Sequence, residues 1–191
     1  MLNKKHFQKI REQLLSYAQK RREVIKAASD AQNLSKRAIF ALQRDDRTAA
    51  DQSLKTAGDT IAELAKKYKE DLKLFDEGAY RAALEEYTEA MLFKQFLDGK
   101  EIGEMKDLKI NPDNYISGLC DVPGEILRYA IKSATERNFD MVKKCYDVAE
   151  AIVSELVDMD LTGYNRQKFD QAKQALNKLQ QIQYEVSLKN A

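Results

Sequence analysis

Apolar residues recur every three to four positions along most of the chain, the spacing of one face of an α-helix. In the first segment Phe7, Ile10, Leu14, Tyr17, Val24 or Ile25, and Ala28 mark the stripe, and Leu34, Ala38, Ile39 and Leu42 continue it. The first glycine is Gly58 and the two prolines are Pro112 and Pro123, so nothing before Gly58 obliges the backbone to leave a helix. One or two long helices are predicted there. A continuous helix over that span would be roughly 60 Å long, more than a compact domain of this size covers with its own chain. Part of its stripe is therefore expected to meet another subunit. A second helix is predicted to open near Asp46 to Thr48 and to run through Leu54, Ile61, Leu64, Ala65, Tyr68 and Leu72 to a break at Gly78. A third spans Tyr80 to Leu97. Residues 98 to 113, DGKEIGEMKDLKINPD, hold two glycines and a proline and form the one clear interruption, with room for a short helical turn. Three further helices follow, about 114 to 136, 140 to 159 and 165 to 188, punctuated at Asn138 and Gly163. Strand signals are absent. The expected fold class is all-α, a six- to seven-helix bundle with a long N-terminal helix, in one domain over residues 1–191.

Composition fits this pattern. With 43% hydrophobic and 33% charged residues, the chain suits amphipathic helices and is unlike a disordered or membrane-inserted one. No run approaches the roughly 20 apolar residues that span a bilayer. The opening MLNKKHFQKIREQLL is basic and amphipathic, without a continuous apolar core or a small-residue cleavage site, so a cytoplasmic protein is expected. Cys120 and Cys145 lie in helical apolar patterns and read as buried reduced thiols. The net charge of +1 hides an asymmetry: residues 1 to 47 carry twelve Lys or Arg against five acids. Such a block is either a nucleic-acid footprint or an ordinary solvated helix face, and charge alone leaves both open.

Two pairs of acids could carry chemistry. Glu86 and Glu89 share a helical stripe with Ala82, Phe93 and Phe96, where ionised carboxylates are expensive unless a cation or hydrogen-bond donors compensate them. A divalent metal would do so; basic side chains or an outlet to solvent at the bundle edge would also suffice. Asp121 and Glu125, in CDVPGEILRYAIKS, are spaced i, i+4 and would align on one face of a continuous helix. If the helix instead starts near Pro123, Asp121 caps it and Glu125 pairs with Arg128. All four are hard oxygen donors and no His or Cys is placed to join them, so Mg²⁺ is the metal they would favour. At a phosphodiester such a site could activate water and stabilise the leaving oxygen. His6 is expected to be exposed. The sequence holds no Gly-rich phosphate loop, no Ser or Cys nucleophile with a His partner, and no dinucleotide fingerprint, which leaves other enzyme classes little to stand on.

The same residues carry a resemblance to a known family. SKRAIFALQR from Ser35 to Arg44, EYTEAMLFKQF from Glu86 to Phe96, and DNYISGLCDVPGEILRYAIKS from Asp113 to Ser133 resemble, in order, the helical motifs of the translin superfamily, and of its translin-associated factor X (TRAX) branch in particular. The final KFDQAKQALNKLQQIQYEVSL resembles that family's last helix. The resemblance implies a translin-like fold and a Mg²⁺-dependent endoribonuclease in which Glu86, Glu89, Asp121 and Glu125, matching the EYxEA and DxxGE motifs, are catalytic metal ligands. Translin itself lacks the aspartate of the second motif and is a nucleic-acid-binding ring, so the alternative implied is a non-catalytic protein that binds RNA or single-stranded DNA. Pro123 departs from the family pattern. The resemblance also implies a hollow octamer with nucleic acid inside; a homo-oligomer is the expectation for this chain, although the family's better-known assemblies pair TRAX with translin. Charge clustering, not a family motif, nominates Arg21, Arg22, Lys36, Arg37 and Arg44 as phosphate contacts. Few aromatics lie among them, so backbone and shape recognition is expected over base stacking.

Overall fold

In the computed structural model residues 1–106 and 108–189 are described, the side chain of Lys189 excepted. Asp107, inside the expected interruption, and residues 190–191 lie outside them. Six helices form the described chain: α1 (Lys4–Gln43), α2 (Arg47–Lys67), α3 (Gly78–Leu97), α4 (Pro112–Thr135), α5 (Phe139–Val157) and α6 (Gly163–Lys189). The described residues contain no strand. Among them no helix is long and apolar enough to cross a membrane.

The opening segment is one unbroken helix of 40 residues. Asn3 caps its start by accepting from the His6 amide at 3.1 Å, and His6 itself is exposed. The helix ends where Asp45 takes a φ of 60°, a left-handed turn that an aspartate tolerates better than most residues. Asp46 then caps α2 through the Ala49 amide at 3.0 Å.

α2 stops earlier than the periodicity predicts. Tyr68 closes it, and Leu72, expected on its buried stripe, is exposed in a short 3-10 turn, Leu72–Asp76, that buries Leu74 instead. No helical turn interrupts 98–111 among the described residues; α4 opens at Pro112 with Asn111 accepting from the Asn114 amide at 2.9 Å. A capping asparagine followed by proline at the first helical position is a strong start signal.

α1, α2 and α3 pack on one another, as do α4, α5 and α6, and the two groups meet along α3 and α4. Small residues bring the first group close: Ala28, Ala31, Ala38, Ala50 and Ala57 are fully buried, so backbones approach where larger side chains would hold them apart. At the seam Gly118 of α4 lies against α3. A Cβ there would sit 2.6 Å from the Glu85 carbonyl oxygen and 2.6 Å from Thr88 Cβ, so this approach requires glycine. Phe93, fully buried, and Phe96 fill the space beside it with Tyr129 of α4, whose ring meets Phe93 at 6.2 Å. Cys120 and Cys145 are free and buried, and burial pushes both thiols up to about 12.

Candidate functional site

α4 runs through Pro123 without restarting, so Asp121 lies inside the helix and does not cap it. The alternative in which Pro123 begins a helix is thereby overturned. Pro123 is buried and costs one backbone hydrogen bond, a loss the packed helix absorbs. With the helix continuous, Asp121 and Glu125 stand one turn apart and face Glu86 and Glu89 across the seam that Gly118 closes.

The four carboxylates feel one another. Glu89 is only 8% exposed, and its carboxyl is pushed up to about 9, first by burial and then by Asp121, Glu86 and Glu125. It has no hydrogen bond or ion pair among the described residues to offset that rise. Burial also raises Glu86, against the opposing pull of Lys36 and a hydrogen bond from Gln32. Burial raises Asp121 too, outweighing the Lys168 ammonium.

Protein cations and donors hold three of the four. Lys36 Nζ lies 3.7 Å from Glu86 Oε2. Gln43, buried on α1, donates to Glu125 Oε2 at 2.8 Å and to the Glu125 carbonyl at 2.9 Å. Arg128 donates to Glu125 Oε2 at 3.0 Å, the pairing expected from their i, i+3 spacing. Lys168, on α6, ion-pairs with Asp121 and with Glu85 of α3. No group of three or more His, Cys, Asp or Glu side chains is drawn into metal-holding geometry among the described residues. The donor types nonetheless fit a hard cation: four carboxylates on two facing helices, with no soft ligand and one acid whose carboxyl is pushed up by burial and by its neighbouring acids.

The nominated basic residues divide. Arg21 is taken by Glu77 at 2.6 Å, and Lys36 by Glu86. Arg22, Arg37 and Arg44 are exposed and without an ion pair among the described residues. Lys36, Arg37 and Arg44 lie near the end of α1, the stretch from which Lys36 reaches Glu86 and Gln43 reaches Glu125, whereas Arg21 and Arg22 are roughly 22 Å further back along the helix. Sequence reading missed Lys168, Glu85 and Gln43. A signal for Lys168 existed: it shares a stripe with Ala172, Ala175 and Leu179, all buried, and a lysine there needs an anion.

A six-helix bundle whose central helix pair opposes two pairs of acids defines an all-α protein with a carboxylate centre at a helix seam. The chain belongs to the Translin family, whose profile matches residues 19–190. Among solved structures it is similar to the crystal structure of AfC3PO, at 22% identity and a TM-score of 0.89, over 96% of this chain and 98% of that one. It is similar as well to apo-NeC3PO, at 22% identity and a TM-score of 0.87, over 97% and 98%. A third similar structure is AfC3PO in complex with duplex RNA, at 22% identity and a TM-score of 0.86, over 96% and 97%. At that identity the likeness establishes the translin-like fold. No match is found among curated proteins.

Proposed function

We propose that this protein is a TRAX-like, Mg²⁺-dependent endoribonuclease, formed by one helical domain over residues 1–191 and working inside a homo-oligomeric cage in the cytoplasm. The observation that carries the reading is the meeting of Glu86 and Glu89 on α3 with Asp121 and Glu125 on α4, which leaves Glu89 buried among like charges. Membership of the Translin family and the fold shared with an RNA-bound relative support RNA as the ligand. Glu86, Glu89, Asp121 and Glu125 would hold the ion. When bound, Mg²⁺ supplies an activated water and stabilisation of charge on the leaving oxygen. The residues contribute position: α3 and α4 fix the carboxylates, and Arg37 and Arg44, exposed near the end of α1, offer positive charge to the phosphate backbone.

A labelled short RNA incubated with purified protein, in Mg²⁺ and in EDTA, tests this. Cleavage is expected only with Mg²⁺, and Asp121→Asn is expected to reduce it by about a hundredfold or more while RNA affinity stays within about threefold. RNA bound but uncut in every condition overturns the nuclease reading.

One observation favours a second reading. Because Lys36, Arg128 and Lys168 already pair with Glu86, Glu125 and Asp121, the acids can serve as structural ion pairs in a ring that binds RNA or single-stranded DNA without cutting. That reading expects salt-sensitive binding with no Mg²⁺-dependent cleavage.

A further inference from the structure

Lys168 is the most deeply placed cation of the seam. It is 8% exposed and reaches from α6 to carboxylates on two other helices, Glu85 of α3 and Asp121 of α4. Glu85 lies outside the four acids assigned to the metal. Tyr164, one turn before Lys168, donates its hydroxyl to Glu85 Oε1 at 3.0 Å, and its ring lies 5.2 Å from the Lys168 ammonium. The lysine thus has a retained side, built from Glu85 and the Tyr164 ring, and an exchangeable side, Asp121.

Two ligands compete for Asp121. A divalent ion shared with Glu86 and Glu89 would draw on the same half-buried carboxylate that Lys168 holds through Oδ2, and two cations on one carboxylate repel each other. We propose that Lys168 is a positioning residue, the internal cation of the site: it holds Asp121 until a divalent ion binds, then withdraws onto Glu85, and so sets how tightly the ion is held. This rests on the metal reading above.

The two partners of the lysine give opposite expectations. Lys168→Met keeps the aliphatic stem but removes the competing charge, so divalent affinity rises by about tenfold, the scale of one unit charge touching a carboxylate. Glu85→Gln removes the retained side, leaves Lys168 wholly on Asp121, and lowers affinity by a similar factor. Lys168→Arg keeps the charge and stays near wild type.

Titration of the full-length protein with Mn²⁺, followed by loss of the free-ion EPR signal, reads this without any activity. Tighter binding in Lys168→Met with weaker binding in Glu85→Gln is the expected pair of results. Unchanged Mn²⁺ affinity in a folded Lys168→Met overturns the inference and makes the ion pair structural, while leaving the metal site intact. Absence of binding in wild type and every variant overturns the metal reading and this inference together. Should Lys168→Met not fold, the double variant Lys168→Met, Glu85→Gln restores the charge count. It is expected to bind Mn²⁺ more tightly than Glu85→Gln alone, and equal affinity overturns the proposal.

Discussion

At the scale of single residues, Glu89 has the most displaced carboxyl among the described residues. Its carboxyl is pushed up to about 9 in the fold, against an ordinary carboxylate in the unfolded chain. The folded state therefore binds the proton more tightly, so this residue's contribution to stability is full below the ordinary carboxylate range and is lost as pH rises towards 9. Within that window each pH unit costs at most about 1.4 kcal/mol in the metal-free protein. Denaturant unfolding of metal-free protein from pH 5 to 9 is expected to show this decline, and Glu89→Gln is expected to flatten it. An unchanged slope in the variant would show that Glu89 is already ionised near neutrality. How far such residues can be read from sequence depends on what surrounds them. Glu86 and Glu89 stood out because their own helix stripe is otherwise apolar. The partners of the site acids did not, because Lys36 against Glu86, Gln43 against Glu125 and Lys168 against Asp121 come from α1 and α6, and the pairing of distant helices is not written in any local period.

At the scale of the element, α4 decides the site. Its continuity through Pro123 was one of two open readings, since a proline both starts helices and survives inside packed ones. What tips the balance is an upstream start at Asn111 and Pro112 with a buried face on either side of Pro123, a tertiary effect that outweighs local preference. The end of α2 was misread for the same kind of reason: Leu72 keeps the helical spacing, but the chain turns after Tyr68 to bury Leu74. Gly118 gives α4 its approach to α3. Gly118→Ala is expected to cost about 1–3 kcal/mol in denaturant unfolding, because its methyl meets backbone and a branched side chain instead of a flexible tip. By widening the seam it should also weaken Mn²⁺ binding. Gly124→Ala is the control: its Cβ meets nothing within 4 Å, and removing a helical glycine is expected to stabilise by about 0.5–1 kcal/mol.

At the scale of the whole molecule, the first four turns of α1 project beyond their own bundle, leaving Phe7, Ile10, Leu14 and Leu15 exposed on a basic helix. Of the one or two helices expected there, a single 40-residue helix forms, and its length outruns the chain that could cover it. If another subunit covers this stripe, each leucine buried there is worth about 1.5–3 kcal/mol. Leu14→Asp combined with Leu15→Asp is then expected to shift sedimentation towards smaller species while the helical circular dichroism is retained. Unaltered assembly would place the subunit contact elsewhere. The arrangement of the seam has another consequence, in time rather than space. Glu86 and Glu89 belong to the three helices made first, Asp121 and Glu125 to the three made last. During synthesis the early half emerges with one acid pair alone, and the second pair takes its place only after Gly118 has docked against α3. The four-acid arrangement is therefore incomplete in a growing chain until α4 has emerged and packed on α3.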